Sequence, residues 1–443
     1  MALGSLVSSL SVAVEKSYAM LNDGVKPDPT SGGGLTWTAV NDISRESITY
    51  DDQEQPTVPL DIAHGAMGQP PDLPATIYES GTPVARRTGQ PNLKFKGLQC
   101  PGAGVALSTL TLVKVLRTVM ACHLPSAGTS DTVGAGSHTV NAFVATDATK
   151  YGVGRKIAFT IDGRVEFTWV SNISGSNITV SPALSAAPAE GDTVRMCGTF
   201  YPQLGALTFT DCPSIALRQD MIGRRWVAYG CRLKTLTLEM DGTTAGPGGA
   251  ARLIMPTAKL WSPWVVDDDG SASPQSVGAS GPYAMGLQGY EVWSSLVAVS
   301  TPADAARNVL EARKWSVEID FDLVPRDSAG NGIGFSDYAC NGVNISIKQT
   351  LAPNSTFAAA LNAREIFHLL FGAGPTSAGL AGRGMGFAFG AKAACLAGFA
   401  KPTVSVKETM QELTWRLAPY SLETGTWSPG SAPDAPFTLA WVS

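Results

Sequence analysis

Trp315-Ser316-Val317-Glu318-Ile319-Asp320-Phe321-Asp322-Leu323 alternates apolar and polar residues without a break. Side chains of an extended strand point to opposite faces in turn. Trp315, Val317, Ile319, Phe321 and Leu323 therefore share one face, and Ser316, Glu318, Asp320 and Asp322 the other. An apolar face this complete predicts a strand with one side on a core and the other wet. Asn92 to Lys96 and Leu233 to Met240 repeat the pattern, and Arg252 to Trp261 and Thr193 to Cys197 also read as strands. The chain is expected to be mainly β.

Between residues 130 and 201 the sequence reads as a small β unit of its own. Ile157 to Ile161 and Arg164 to Trp169 flank Asp162-Gly163, the pair that accepts the positive φ of a tight hairpin turn. Residues 1–90, rich in Pro, Gly and Asp, read as an N-terminal arm and loops, and 266–310 as a linker. Val105 to Leu124, with Leu112, Leu116, Val119 and Met120 at helical spacing, reads as an amphipathic helix.

Laying the two halves together points to an internal repeat. Asn92-Leu93-Lys94-Phe95-Lys96 matches Asn344-Ile345-Ser346-Ile347-Lys348, an offset of 252 (344 less 92). Each leads into an apolar segment read as a helix, the second over Asn362 to Phe371, with Asn362 as N-cap. Val227 to Gly230 matches Phe387 to Gly390 at an offset of 160 (387 less 227). The difference, 92 residues, falls where the small β unit lies. The domain reading is therefore a first β domain over 91–129 and 202–265, an insert over 130–201, and a second β domain over 311–443.

Charged residues make up only 16% of the 443, and the formal charge of −5 gives no basic face for gripping phosphates. The seven cysteines include no C-x-x-C pair, so buried thiols are expected rather than disulfides or zinc ligands. No signal peptide or membrane span is read. The apolar run from Ala378 to Ala400 is broken by Arg383 and Lys392.

Motifs for catalysis, cofactors or metals are not found: no G-x-S-x-G, no P-loop, no H-E-x-x-H. His64, His123, His138 and His368 lack ligand spacing, and Gly330-Asn331-Gly332-Ile333-Gly334 reads as a turn. Asp267-Asp268-Asp269-Gly270 reads as a polar turn rather than a calcium loop. Glu318, Asp320 and Asp322 are candidates for a solvated face, for a cation site, for paired glycosidase carboxylates, or for the lining of a ring. The sequons at Asn172, Asn177, Asn344 and Asn354 carry weight only on a secretory route.

With its repeated strand, helix and strand pair, the chain resembles the tail tube proteins of tailed bacteriophages. The resemblance rests on Leu93 to Lys96, Arg225 to Met240, Ile345 to Lys348 and Phe387 to Trp415. The insert, with Ser181 to Pro188 before Gly191-Asp192-Thr193-Val194, is similar to small decorative β domains of phage tails. The resemblance implies two β-sandwich or barrel domains, each with a flanking helix, in a structural, non-enzymatic protein without cofactors. It also implies homotrimeric, pseudo-sixfold rings made in the host cytoplasm and stacked into a virion tail tube. Other tail proteins would be its partners, no membrane would be involved, and DNA would pass through without specific binding. Glu318, Asp320 and Asp322 would line the channel. The competing expectation is a β-rich tail fibre that binds or degrades glycans. A capsid or connector protein fits the repeat less well.

Overall fold

The computed structural model describes residues 9–16, 18–20, 35–40, 43, 49–51, 89–100, 106–126, 129–161, 164–221, 224–241, 254–268, 283–284, 290–298, 308–310, 312–327, 335–352, 366–375, 386–399, 403–404, 409–417 and 435–442. Within them the protein is mainly β, with nearly all strands joined antiparallel in one large sheet.

One set of pairings occurs twice. In its first occurrence Ser9–Val14 lies between Thr38–Val40 and Ile215–Met221, and the latter pairs with the long strand Arg224–Asp241. The first part of that strand also takes Trp264–Asp268, and its second part takes Ile254–Trp261. Ile254–Trp261 then pairs with Gln90–Lys94, which pairs with Thr49–Asp51. In the second occurrence Tyr290–Ala298 lies between Asn308–Leu310 and Ile366–Pro375, and the latter pairs with Phe387–Phe399. Phe387–Phe399 takes Phe437–Val442 along its first part and Thr409–Leu417 along its second. Thr409–Leu417 pairs with Phe335–Leu351, and that strand with Ala312–Asp327.

The registers agree as well as the order. Arg224–Asp241 is bulged between its pairs with Leu217 and Ile215, at Ala228 and Cys231, and Phe387–Phe399 is bulged between Ala391 and Ala394, opposite Leu369 and Phe367. A second bulge lies between Leu233 and Thr235 in one strand, and between Leu396 and Gly398 in the other. All four positions correspond at one offset, 163 (391 less 228, 396 less 233). Bulges bend a strand and set its twist. At the first of them Gly230 takes φ +65°, and a Cβ there would lie 2.9 Å from Pro263 Cγ and 3.0 Å from Ala19 Cβ. Left-handed backbone and close contact both call for glycine.

The pairings equate Asn92 with Lys348 and Ala228 with Ala391, so the sequence matches fall on corresponding strands but four and three residues out of register. Identities on the correct register are few: they include Leu217 with Leu369, Ala228 with Ala391 and Leu233 with Leu396, all buried, and the exposed Met255 with Met410.

Four expectations are corrected. Ile366 to Phe371, expected in a helix from Asn362, lies in the strand Ile366–Pro375, while Asn362 to Glu365 lie outside the described residues. Its run Phe367-His368-Leu369-Leu370-Phe371 is buried on both faces, and a short apolar run fits a central strand as well as a helix. The helix over Val105 to Leu124 shrinks to one 3₁₀ turn, Leu107–Thr109, and the helix Thr111–Leu116, followed by a strand at Met120–His123. Residues 266–310, read as a linker, carry the strands Tyr290–Ala298 and Asn308–Leu310, and Asp267 and Asp268 lie in a strand rather than a turn. Gly330 to Gly334 lies outside the described residues.

One hydrophobic core serves both occurrences of the pairing set, from Val12 and Leu93 to Trp415 and Trp441. Trp315 stacks on Phe371 at 4.9 Å, and Phe389 continues the stack. Residues 133–196 hold a second core around Phe143, Phe159, Ile178 and Val194. The strand Thr193–Pro202 leaves it to pair with Phe437–Val442 and Met120–His123. The β unit also packs directly on Phe387–Phe399. Buried Lys156 donates to the Thr438 carbonyl at 3.3 Å, and Trp169 Nε1 to Thr438 Oγ1 at 3.2 Å. Gly390 leaves room for both side chains, since a Cβ there would stand 2.5 Å from Lys156 Nζ.

Candidate functional site

Part of the sheet is a continuous row of eight strands. In order these are Thr49–Asp51, Gln90–Lys94, Ile254–Trp261, the second part of Arg224–Asp241, Ala312–Asp327, Phe335–Leu351, Thr409–Leu417 and the second part of Phe387–Phe399. The two occurrences of the pairing set meet in the middle, where Thr235–Asp241 pairs with Lys314–Asp320.

The row has one apolar and one polar face. Trp315, Val317, Ile319 and Phe321 are all but completely buried, as the alternation requires. Glu318 and Asp322 are exposed, and Asp320 is half-buried, accepting a hydrogen bond from Thr235 Oγ1 at 2.8 Å. The three acids thus share one face, but not by themselves. Lys234 and Lys259 line a shallow open trough of about 590 Å³ with Glu318, Asp320, Thr235 and Asn344. Lys348 is exposed on the same side one strand further on. The wet face is therefore polar and of mixed charge, with Thr, Ser and Asn between the ions. Spacing along one strand made the acids visible in the sequence; the lysines come from strands distant in the chain.

Beneath the row lies the most highly charged buried group. Arg232, fully buried, donates from Nε and Nη2 to the two carboxylate oxygens of Asp337, both at 2.8 Å. Its Nη1 donates to the carbonyls of Thr118 and Cys212, and its guanidinium lies 5.2 Å from the Tyr18 ring centre. Glu15, also buried, accepts from the Ala19 N–H at 3.1 Å, the Gly230 N–H at 2.9 Å and the Ser214 hydroxyl. Burial pushes its carboxyl up to about 7, with those donors and Arg232 pulling the other way. Glu15 and Arg232 gave no signal in the sequence, because Asp337, Thr118, Ser214 and Gly230, which hold them, lie 105 to 215 residues away.

Elsewhere, the His123 ring lies tilted against Tyr201 with centres 5.6 Å apart, and burial and Arg155 lower its pKa. His368 is buried beside Trp169. Burial raises the thiols of Cys122, Cys197, Cys212, Cys231 and Cys340, which disfavours their thiolate forms. Among the described residues no group of three His, Cys, Asp or Glu side chains is placed to hold a metal ion, and no helix is long and apolar enough to cross a membrane. Compared with known proteins, the sequence matches no family model and no curated relative.

Proposed function

We propose that the chain is a structural tail tube protein of a bacteriophage: two similar tube domains in one polypeptide, assembling into stacked rings whose channel delivers the genome. The reading rests chiefly on the doubled pairing set, with both bulges at one offset. Duplication places two near-equivalent wall units in each chain. Only the first unit keeps a helix among the described residues, Thr111–Leu116.

The row of strands supports a ring wall. It is apolar on one side, polar on the other, and, among the described residues, open at both ends; an open edge of this kind pairs with another chain unless it is protected. Three chains would supply 24 strands. At ~4.8 Å spacing and ~40° tilt they close at a backbone diameter of roughly 48 Å, leaving a bore of roughly 35 Å inside the side chains. The polar face would line that bore, with Glu318, Asp320 and Asp322 beside Lys234 and Lys259. Interspersed charges of both signs offer DNA no basic track to adhere to.

Electron microscopy of the purified protein tests this reading. Rings or tubes with a central channel are expected. Discrete monomers that bind or cleave glycans would replace it with the fibre reading.

A further inference from the structure

The seam between neighbouring chains can be derived from the pairing that joins the two halves of one chain. Every pairing in the first set has its counterpart in the second. The joining ladder, Thr235–Asp241 with Lys314–Asp320, lies between the sets and has no counterpart among the described residues. Its equivalents can be located. Glu239 pairs with Met255, and Met255 corresponds to Met410, which pairs with Thr403; Glu239 therefore corresponds in the sheet to Thr403, one residue past the 163 offset because the pairing with Thr409–Leu417 shifts by one between Phe399 and Thr403. Ser316 pairs with Lys348, the counterpart of Asn92, which pairs with Thr49; Ser316 therefore corresponds to Thr49. Glu239 and Ser316 face each other inside the chain. The missing ladder would place Thr403 opposite Thr49.

These two residues stand at opposite ends of the eight-strand row, so one chain cannot bring them together without curling the row closed on itself. Both edges are open in the places required. Beyond Cys395 the strand Phe387–Phe399 pairs only with Thr409–Leu417, and Thr49–Asp51 pairs only with Gln90–Lys94, among the described residues.

We propose that the occupant of each open edge is the other edge of a second copy of this chain. The edge formed by Phe399 and Thr403–Val404 of one molecule adds antiparallel to Thr49–Asp51 of the next, with Thr403 facing Thr49. The contact is head-to-tail, the type that makes rings when the rotation closes. It rests on the tube reading and adds to it the seam and its register.

Paired cysteines test it. In Thr49→Cys/Thr403→Cys the new thiols sit directly opposite across the seam, with Cα atoms about 4.5–5.5 Å apart, within disulfide range. Asp51→Cys/Thr403→Cys displaces one partner by two residues, to a diagonal of about 7–8 Å, outside that range. Mild oxidation of assembled protein should link chains in the first variant into multimers ending in a closed species, and leave the second unlinked. Thr49→Cys and Thr403→Cys made in separate chains and mixed in equal amounts before assembly probe the same register and serve should the double variant fold poorly. Rings that stay unlinked in both on-register tests, or that link through the displaced pair, overturn the seam while leaving the tube reading intact. A folded chain that forms no rings at all overturns both.

Discussion

Replacing Arg232 by Met tests what holds the two halves of the chain together. Arg232 sits in the strand Arg224–Asp241, and Asp337 in Phe335–Leu351, 105 residues further on. The substitution keeps the length of the side chain but leaves the Asp337 carboxylate in a site where it is 11% exposed and without its bidentate partner. It also strips the Thr118 and Cys212 carbonyls of a donor. Removing one member of a buried pair costs about 3–5 kcal/mol, because the other charge remains desolvated. Asp337→Leu leaves the guanidinium stranded in the same way. The double variant removes both charges, so its cost should fall short of the sum of the singles by about 2–3 kcal/mol. It should still be less stable than the parent, since the two carbonyls remain unsatisfied at about 1–3 kcal/mol each. Urea denaturation of the four proteins, followed by tryptophan fluorescence at a concentration below assembly, gives the cycle. An Arg232→Met loss under ~1 kcal/mol, or strictly additive singles, would refute the view that this pair is a buried tie between the halves.

Other consequences follow from single sites. The Glu15 carboxyl is raised in the folded chain, so its contribution to stability is full below its unfolded value near 4.5 and is lost as pH rises through about 7. Glu15→Gln should flatten the fall in denaturation midpoint between pH 5 and 8 by an amount worth about 3 kcal/mol; an unchanged slope contradicts the assignment. Gly230→Ala forces a left-handed alanine against Pro263 and Ala19 and should cost about 2–4 kcal/mol by urea denaturation; a neutral effect would show that the bulge rearranges freely. Replacing residues 134–191 by a Gly-Ser bridge joins Val133 and Asp192, already held by the Val133 N–H to the Asp192 carbonyl at 2.9 Å. The shortened chain should lose stability with Lys156 and Trp169 gone but still assemble; a folded chain unable to form rings would make the insert part of the wall. Changing Glu318, Asp320 and Asp322 together to Lys should leave the fold intact and slow genome passage through assembled tails. Normal ejection by such particles would remove these residues from the channel.

Strands with a one-sided environment were legible in the sequence. Trp315 to Phe321 is buried at every second residue because a half-wet sheet imposes period two. The two strands expected to flank Asp162-Gly163 appear with Ile161 opposite Arg164, the turn pair itself lying outside the described residues. Ile366–Pro375 was misread because a strand covered on both faces shows no alternation. Tyr290–Ala298 was missed inside a segment whose Ser- and Gly-rich start suggested a linker. The repeat could be sensed but not registered, since corresponding strands share shape and burial far more than residues. The Arg232 and Glu15 clusters exist only once distant strands have been brought together.

The copy number of the ring bears most directly on the whole account. On the proposed reading, two equivalent wall units per chain would make a sixfold ring from three chains, joined within each chain as they are joined between chains. Native mass spectrometry of isolated rings, with class averages of the same sample, should give three chains per ring and six similar lobes around the channel. Six chains per ring would contradict the account, because the doubled pairing set would then not supply two units of one wall.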